Sequence, residues 1–342
     1  VESAYNIIKA IDKKKYEIII IGIDHKGDWY LYDNLDLNNL ELVDPDYKKD
    51  YFQKLAVIPG DSNGQLFNLF KGEKLEDIDV VFPVLHGPFG EDGTIQGLLK
   101  IINTPFVGAG VLGSAVAMDK DIMKRLLRDN DIKIADYMVF QSEDNINTDL
   151  IIDKLGLPLF VKPANLGSSV GVNKVNKKEN LKKAIKYALE FDSKVIVEEY
   201  IKGREIECSV LGNSQISASL PGEIKPKSEF YSYEAKYVDE KGAVLSFPAD
   251  ISKKTSNKVR ETSLKVYKTL GSEGMARVDC FLTENKEVIV NEINTIPGFT
   301  KISMYPKLWE ISGIEYSKLI DKLIKLAIER FEKEVKLKNN YS

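Results

Sequence analysis

The sequence predicts an α/β (α+β) protein, with a doubly wound parallel-sheet domain at its amino end followed by two further α+β units. Three observations support this. In the first third, apolar runs at Tyr16 to Ile23, Val80 to Leu85 and Pro105 to Val107 alternate with helical periodicity. Beyond Tyr137 the pattern changes to short, closely spaced strands, and near the carboxyl end Arg277 to Leu282 and Val288 to Asn294 read as a hairpin. A chain of 342 residues also exceeds the size at which one hydrophobic core keeps growing. The expected units are residues 1–117, 118–200 and 201–342.

The chain opens on an amphipathic helix, Glu2 to Ile11, followed by the strand Tyr16 to Ile23. A parallel unit normally places a strand before that helix, so the expectation is that the sequence starts inside a βαβ unit, with upstream residues not included. The buried strand Val80 to Leu85 ends in the loop His86 to Gly93, before a helix from Thr94 to Ile102. Loops at strand carboxyl ends are where α/β proteins gather ligands. One helix is predicted from Ser114 to Arg128, then strands at Tyr137 to Phe140, Leu159 to Lys162 and Val170 to Val175. A Lys-rich helix from Lys177 to Glu190, a strand from Lys194 to Glu199, and helices at Ser252 to Leu270 and Ile314 to Glu332 complete the reading.

Composition narrows the function classes. Hydrophobic residues at 43% and charged residues at 29% describe an ordinary globular protein. Lys+Arg 48 against Asp+Glu 52 leaves a net charge of -4, with no general attraction for nucleic acid or an anionic membrane. No apolar run has the length a bilayer requires and no leader is legible, so a cytoplasmic setting is expected. The two cysteines, Cys208 and Cys280, lie in no metal-binding spacing and read as core residues, and two histidines, His25 and His86, leave no room for a multi-histidine site.

Chemistry is most legible in the carboxyl-terminal hairpin. With a loop from Glu284 to Glu287, Thr283 pairs with Val288, Asp279 falls opposite Glu292 and Arg277 opposite Asn294, all on one face. Ala276, Val278, Cys280, Leu282, Ile289 and Ile293 then form the buried face. Like charges directly opposite are destabilising, and two carboxylates with an amide oxygen are a magnesium or manganese ligand set. The alternative is a solvated acidic hairpin, for which strand-surface Asp and Glu need no special explanation.

Other segments point to a nucleotide. Gly167-Ser168-Ser169-Val170-Gly171 is a glycine-bearing loop with free N–H groups and two hydroxyls, able to fold over phosphates or to serve as a plain turn. It is neither a Walker motif nor a dinucleotide fingerprint. Lys162 ends an otherwise apolar strand, which costs stability unless an anion meets it. Glu198-Glu199-Tyr200-Ile201, with Glu205 just beyond a turn, offers backbone groups to a base edge and carboxylates to ribose hydroxyls. Lys225 to Tyr237 is polar, aromatic and irregular, as lids and disordered segments are, and its aromatic density favours a lid. After the hairpin, Gly298 and nearby hydroxyls let the backbone approach a substrate carboxylate.

In order along the chain stand Leu85-His86-Gly87, Glu91 to Gly97, Met118-Asp119-Lys120, Val161-Lys162-Pro163, Gly167 to Gly171, Tyr233 to Tyr237, Arg277-Val278-Asp279, Asn291 to Thr295 and Pro297 to Thr300. Together they resemble the ATP-grasp enzymes, and more closely the D-alanine-D-alanine ligases. The resemblance implies that Lys120 and Lys162 hold the ATP phosphates, with Ser168 and Ser169 closing over them. It assigns Glu198, Glu199 and Ile201 to the adenine region, Glu205 to the ribose, and Asp279, Glu292 and Asn294 to two magnesium ions, with manganese possible. Arg277 would steady a tetrahedral oxyanion, while Lys236 and Tyr237 would bring the lid to the phosphates and the substrate. Ser303, Met304 and Gly298 would meet the second substrate, and His86 and Glu91 would flank the first.

The implied reaction joins two D-alanines through a D-alanyl phosphate, for peptidoglycan synthesis and cell shape, in a cytoplasmic homodimer that contacts neither nucleic acid nor membrane. Family members that make a D-alanine-D-lactate ester lack the Lys-Tyr lid pair, so its presence implies an amine nucleophile. Members also carry an early Gly-Gly-x-Ser-x-Glu-His-x-Val-Ser segment whose glutamate binds the first D-alanine, and this sequence begins after it: with the segment upstream of Val1 full activity is expected, and without it nucleotide binding with failed ligation. D-alanine-D-serine ligation is the neighbouring reading, and a non-catalytic nucleotide-binding module is the reading from another class. A biotin-dependent carboxylase shares the nucleotide grasp but does not explain Tyr233 to Tyr237.

Overall fold

The computed structural model describes residues 1–32, 52–60, 66–143, 146–226 and 243–338. Helix α1 (Glu2–Ala10) buries Ile7 and Ile8, and an antiparallel meander follows: β1 (Ile21–Ile23), β2 (Trp29–Tyr32), β3 (Phe52–Val57), β4 (Leu66–Asn68) and β5 (Glu73–Lys74). Only the end of the expected strand from Tyr16 is extended and paired. The chain reverses at once because Asp24 accepts from the N–H groups of Lys26 and Asp28 and Gly27 takes a left-handed φ of 83°, a turn signal within Asp24 to Asp28. Parallel pairing among the described residues of this region is confined to a bridge between Val81 and Phe106. The fold is mixed α/β, as expected, but here it relies more on antiparallel pairing than on a doubly wound sheet.

Helix α2 (Thr94–Ile101) follows the His86 loop. The single helix expected from Ser114 to Arg128 is two, α3 (Val111–Met118) and α4 (Lys120–Asp129). Asp119 separates them because its backbone is extended and its side chain accepts from the N–H groups of Asp121 and Ile122, which is N-cap chemistry. This break makes Lys120 the first residue of a new helix.

The central unit is a four-stranded antiparallel sheet of β6 (Tyr137–Phe140), β7 (Leu159–Pro163), β8 (Asn173–Val175) and β9 (Val195–Glu199), ordered β6-β9-β7-β8. Helices α5 (Thr148–Leu155) and α6 (Leu181–Leu189) cover it through Ile151, Leu155, Leu181 and Ile185. Strand β8 begins at Asn173 rather than Val170, because Ser168, Ser169 and Gly171 all adopt left-handed backbone that a strand cannot contain.

The third unit is a six-stranded sheet ordered β13-β12-β10-β14-β15, with β11 on β10. Its strands are β10 (Gly203–Gly212), β11 (Ser217–Ala218), β12 (Gly222–Pro226), β13 (Ala243–Ser246), β14 (Gly274–Thr283) and β15 (Val288–Asn294). Helix α7 (Lys253–Thr269), capped by Ser252, packs Val259 and Val266 with Met123 and Leu127 of α4 onto one face of this sheet. Cys208 and Cys280 are buried in the same cluster, as read from the sequence. Helices α8 (Met304–Ile311) and α9 (Tyr316–Val335) close the fold over Phe299, Tyr305 and Leu323.

Candidate active site

In β14 the buried side chains Ala276, Val278, Cys280 and Leu282 alternate with the partly exposed Arg277, Asp279 and Phe281. Alternation therefore turns one face to α7 and leaves the other for polar groups. Asp279 lies opposite Glu292 and Arg277 opposite Asn294, as expected. The register near the loop differs: Leu282, not Thr283, pairs with Val288. An irregularity between Asp279 and Cys280 lets Asn291 stand as an extra residue in β15, which restores the expected alignment further along. The same bulge changes the buried set, for Val288 and Val290 are buried with Ile293, while Ile289 is only half-buried.

Arg277 sits among carboxylates. Its guanidinium donates to both oxygens of Asp279 at 2.7 Å and lies 2.9 Å from Glu207, the residue opposite Asp279 on β10. Burial works against its charge, yet Asp279 and Glu207 more than offset this and hold the guanidinium protonated. Asn294 donates to Asp279 at 2.9 Å. Asp279, Glu292 and Asn294 are hard oxygen donors suited to a magnesium ion. Among the described residues no three His, Cys, Asp or Glu side chains gather as a metal cage.

Facing this strip is a cluster of lysines. Lys120 starts α4, donates to the Leu166 carbonyl at 2.6 Å and lies 3.7 Å from Glu292. Lys162 in β7 pairs with Glu198 in β9 and donates to Asn291 at 3.3 Å. Lys124, one turn beyond Lys120, is fully buried and lies 3.1 Å from Glu198. Burial raises the Glu198 carboxyl, but Lys124 and Lys162 outweigh it and the group stays ionised. A cavity of about 20 Å³ is lined by Glu91, Lys120, Gly167, Glu292 and Asn294. Ser168 and Ser169, next to Gly167, have φ of 55° and 60°, strain of the kind that collects at ligand clamps.

The remaining expected residues are distributed around this centre. Glu199 does not join the lysines: its carboxylate accepts from Asp136 N–H at 2.8 Å on the opposite side of the strand. Ile201 follows β9 half-buried, and Glu205 lies on β10 opposite Phe281, two residues from Glu207 and therefore on its face. His86 Nδ1 lies 3.1 Å from the Ile296 carbonyl, and burial lowers its pKa, which favours a neutral ring. Lys236 and Tyr237 lie outside the described residues. Asn291, Glu207 and Lys124 were not singled out as site residues. Period two links Glu207 to Glu205 and helical spacing links Lys124 to Lys120, whereas the bulge that presents Asn291 has no such signal.

Gly298 and Ser303 meet at the start of α8. Ser303 Oγ accepts from Thr300 N–H at 2.9 Å, and a Cβ on Gly298 would stand 2.6 Å from that oxygen. On the role that the sequence implies for Ser303, Gly298→Ala is expected to displace its hydroxyl and raise KM for the second substrate by about tenfold, the cost of one hydrogen bond to a charged group. KM for the nucleotide should be unchanged, and initial-rate kinetics in both substrates check this.

Glu91 accepts from Gly87 N–H at 2.7 Å, and burial, the largest influence, pushes its carboxyl up to about 7 from the ordinary 4.5. The folded state then binds the extra proton between those values, so this group withdraws stability as pH rises towards 7 and contributes nothing below 4.5. Glu91→Gln keeps an acceptor without the charge. Its thermal stability relative to the parent, measured without nucleotide or metal, should therefore improve between pH 5 and pH 8.

Known proteins resemble this chain over most of its length. The family model described as the D-ala D-ala ligase N-terminus matches residues 1–109, and that for the C-terminus matches residues 126–325. A D-alanine-D-alanine ligase of Oceanobacillus iheyensis is 50% identical, with 100% of this chain and 94% of that protein covered. D-alanine-D-alanine ligase A of Escherichia coli K12 is also 50% identical, over 98% of this chain and 93% of that protein. Among solved structures, the D-alanine-D-alanine ligase from Coxiella burnetii superposes with a TM-score of 0.86 at 39% identity, covering 98% of this chain and 91% of that one. The VanG D-Ala:D-Ser ligase from Enterococcus faecalis gives 0.85 at 37%, over 95% of this chain and 94% of that one. With matching family models over most of its length and relatives at half identity, this chain belongs to the D-alanine-D-alanine ligase family.

Proposed function

We propose that this chain joins two molecules of D-alanine at the expense of ATP, the dipeptide serving peptidoglycan synthesis. The observation that carries the reading is the convergence of Lys120 and Lys162 on the strip bearing Glu292, Asn294, Asp279 and Arg277. Cations for a triphosphate thus stand beside oxygen donors for a divalent ion.

The carboxylate of the first D-alanine attacks the γ-phosphorus and ADP departs, leaving an acyl phosphate. The amine of the second D-alanine then attacks the carbonyl carbon, loses a proton and expels phosphate. Lys120 and Lys162 orient the phosphates and offset their charge, while Ser168 and Ser169 cover them. Asp279, Glu292 and Asn294 would hold magnesium, which would supply charge neutralisation for the transferred group. Arg277 is placed to stabilise the oxyanion of the second step. Gly298, Ser303 and Met304 receive the second substrate, and His86 and Glu91 flank the first. Glu198 and Ile201 meet adenine and Glu205 the ribose, whereas the Asp136 contact of Glu199 favours a supporting role for it. Lys236 and Tyr237 complete the lid in this reading.

Two magnesium ions per site, the three-unit division at residues 117 and 200, a homodimer and a cytoplasmic setting extend the family resemblance to this chain. Among the described residues no helix is long and apolar enough to cross a membrane. The test is phosphate release from MgATP with each D-amino acid. Release that requires D-alanine and yields the dipeptide is expected, and ATP turnover indifferent to D-alanine would overturn the proposal. The likeness to a D-Ala:D-Ser ligase motivates a D-serine arm, since one hydroxyl is discriminated only modestly by pocket shape. Preferred formation of the mixed dipeptide would reassign the second substrate.

A further inference from the structure

We propose that Lys124 is a positioning residue for the nucleobase: it holds one oxygen of Glu198 so that this carboxylate stays fixed as the acceptor for an exocyclic amine, and the site selects aminopurines over oxopurines. The inference rests on the ATP-dependent reading above and deepens it.

Lys124 is 0% exposed, a costly place for an ammonium group unless an opposite charge meets it. Glu198 is the opposite charge it meets, although burial outweighs that attraction and lowers the ammonium's pKa. Lys124 lies 3.1 Å from Glu198 Oε2, whereas Lys162 takes Oε1 of the same carboxylate. The two lysines differ in what else they touch. Lys162 also donates to Asn291 at 3.3 Å, towards the strand that carries Glu292, so its charge is shared with the phosphate end of the site. Among the described residues the Lys124 ammonium meets no second carboxylate, and its other neighbour is the Tyr137 ring, 5.6 Å to the centroid.

A division of labour follows. When triphosphate draws on Lys162, Glu198 keeps its negative charge and its place only if another cation holds its second oxygen. Lys124 does so from a rigid position, on the same face of α4 as Lys120 and one turn away. An ionised, immobile carboxylate accepts well from the amine of adenine. The carbonyl of hypoxanthine would set acceptor against acceptor there, and a site built around a hydrogen bond rejects the analogue that lacks it. Without Lys124, Glu198 would turn wholly to Lys162, withdrawing that lysine from phosphate and itself from the base.

The experiment compares ATP with inosine triphosphate at saturating D-alanine. Lys124→Met is expected to lower the ATP-to-ITP ratio of kcat/KM by about tenfold, the worth of one charge-assisted hydrogen bond. KM for ATP should rise and KM for D-alanine stay constant, and Lys124→Arg, which keeps the charge, should recover much of the ratio. A purely structural lysine would lower turnover of both nucleotides equally, so an unchanged ratio overturns the proposal. Should the Met variant fail to fold, Lys124→Gln keeps a donor towards Glu198 without charge and is read in the same way. Equal use of ATP and ITP by the parent protein overturns this inference alone. Nucleotide turnover independent of D-alanine overturns the ligase reading, while calorimetric ATP and ITP affinities still decide the base preference.

Discussion

Arg277→Met is expected to lower the rate of dipeptide formation by about 10²- to 10³-fold, the usual cost of removing one oxyanion donor. In the proposed mechanism the side chain has two duties. It is placed to meet charge that develops only when the second amine attacks, so loss of the guanidinium should slow that step more than phosphoryl transfer. Rapid-quench measurement of ADP formation against dipeptide formation separates the two, and equal slowing of both would remove the oxyanion role. The arginine also lies between Glu207 and Asp279, which are paired in register across β10 and β14. Its removal leaves two carboxylates facing each other and should cost on the order of 3 kcal/mol of stability, as breaking a buried ion pair does. Added magnesium should restore part of this loss, because a divalent ion can replace the missing positive charge.

Asp279→Asn is the second substitution with a large expected effect. Its carboxylate is the node at which Arg277 and Asn294 meet, directly opposite Glu292. Neutralising it removes one of two charged donors and should reduce turnover by about 10³-fold at low millimolar magnesium, since a metal supplies several kcal/mol of transition-state stabilisation. The midpoint of the magnesium titration should move to higher concentration, and Glu292→Gln should act in the same direction. An unchanged magnesium dependence in both variants would show that these carboxylates do not hold the ion. The magnitudes are not expected to add, because both groups serve one charge.

The site was legible where local periodicity and chemistry coincided. Asp279, Glu292, Arg277 and Asn294 align from alternation together with a short hairpin loop, and Lys162 stands out as a charge at the end of an apolar strand. The alignment nevertheless depended on a compensating feature. The pairing expected near the loop was one residue off, and the bulge at Asn291 corrected it while moving Val288 and Val290, not Ile289, into the core. The helix break at Asp119 is not legible in the sequence because Val111 to Asp129 has no glycine or proline at the junction, and the capping side chain reads equally well as a surface carboxylate. The amino-terminal region reads as parallel because apolar strand runs look alike in either orientation, whereas the turn at Asp24 enforces a meander.

What the sequence determined by itself is the inventory: where most helices and strands of the two carboxyl-terminal units lie, the apolar face of β14, and the ordered set of lysines, carboxylates and glycines that marks the family. These follow from backbone preference and side-chain periodicity, properties of residues close along the chain. Only the tertiary structure decided which charges share an environment. Lys124 and Glu198 are separated by most of the central sheet in sequence, yet they meet in a dry interior where each needs the other, and Glu199, the next residue along, is turned away to the Asp136 backbone. The physical reason is that burial and Coulomb attraction act through space, so their effect appears only once the sheets have packed and water has been excluded.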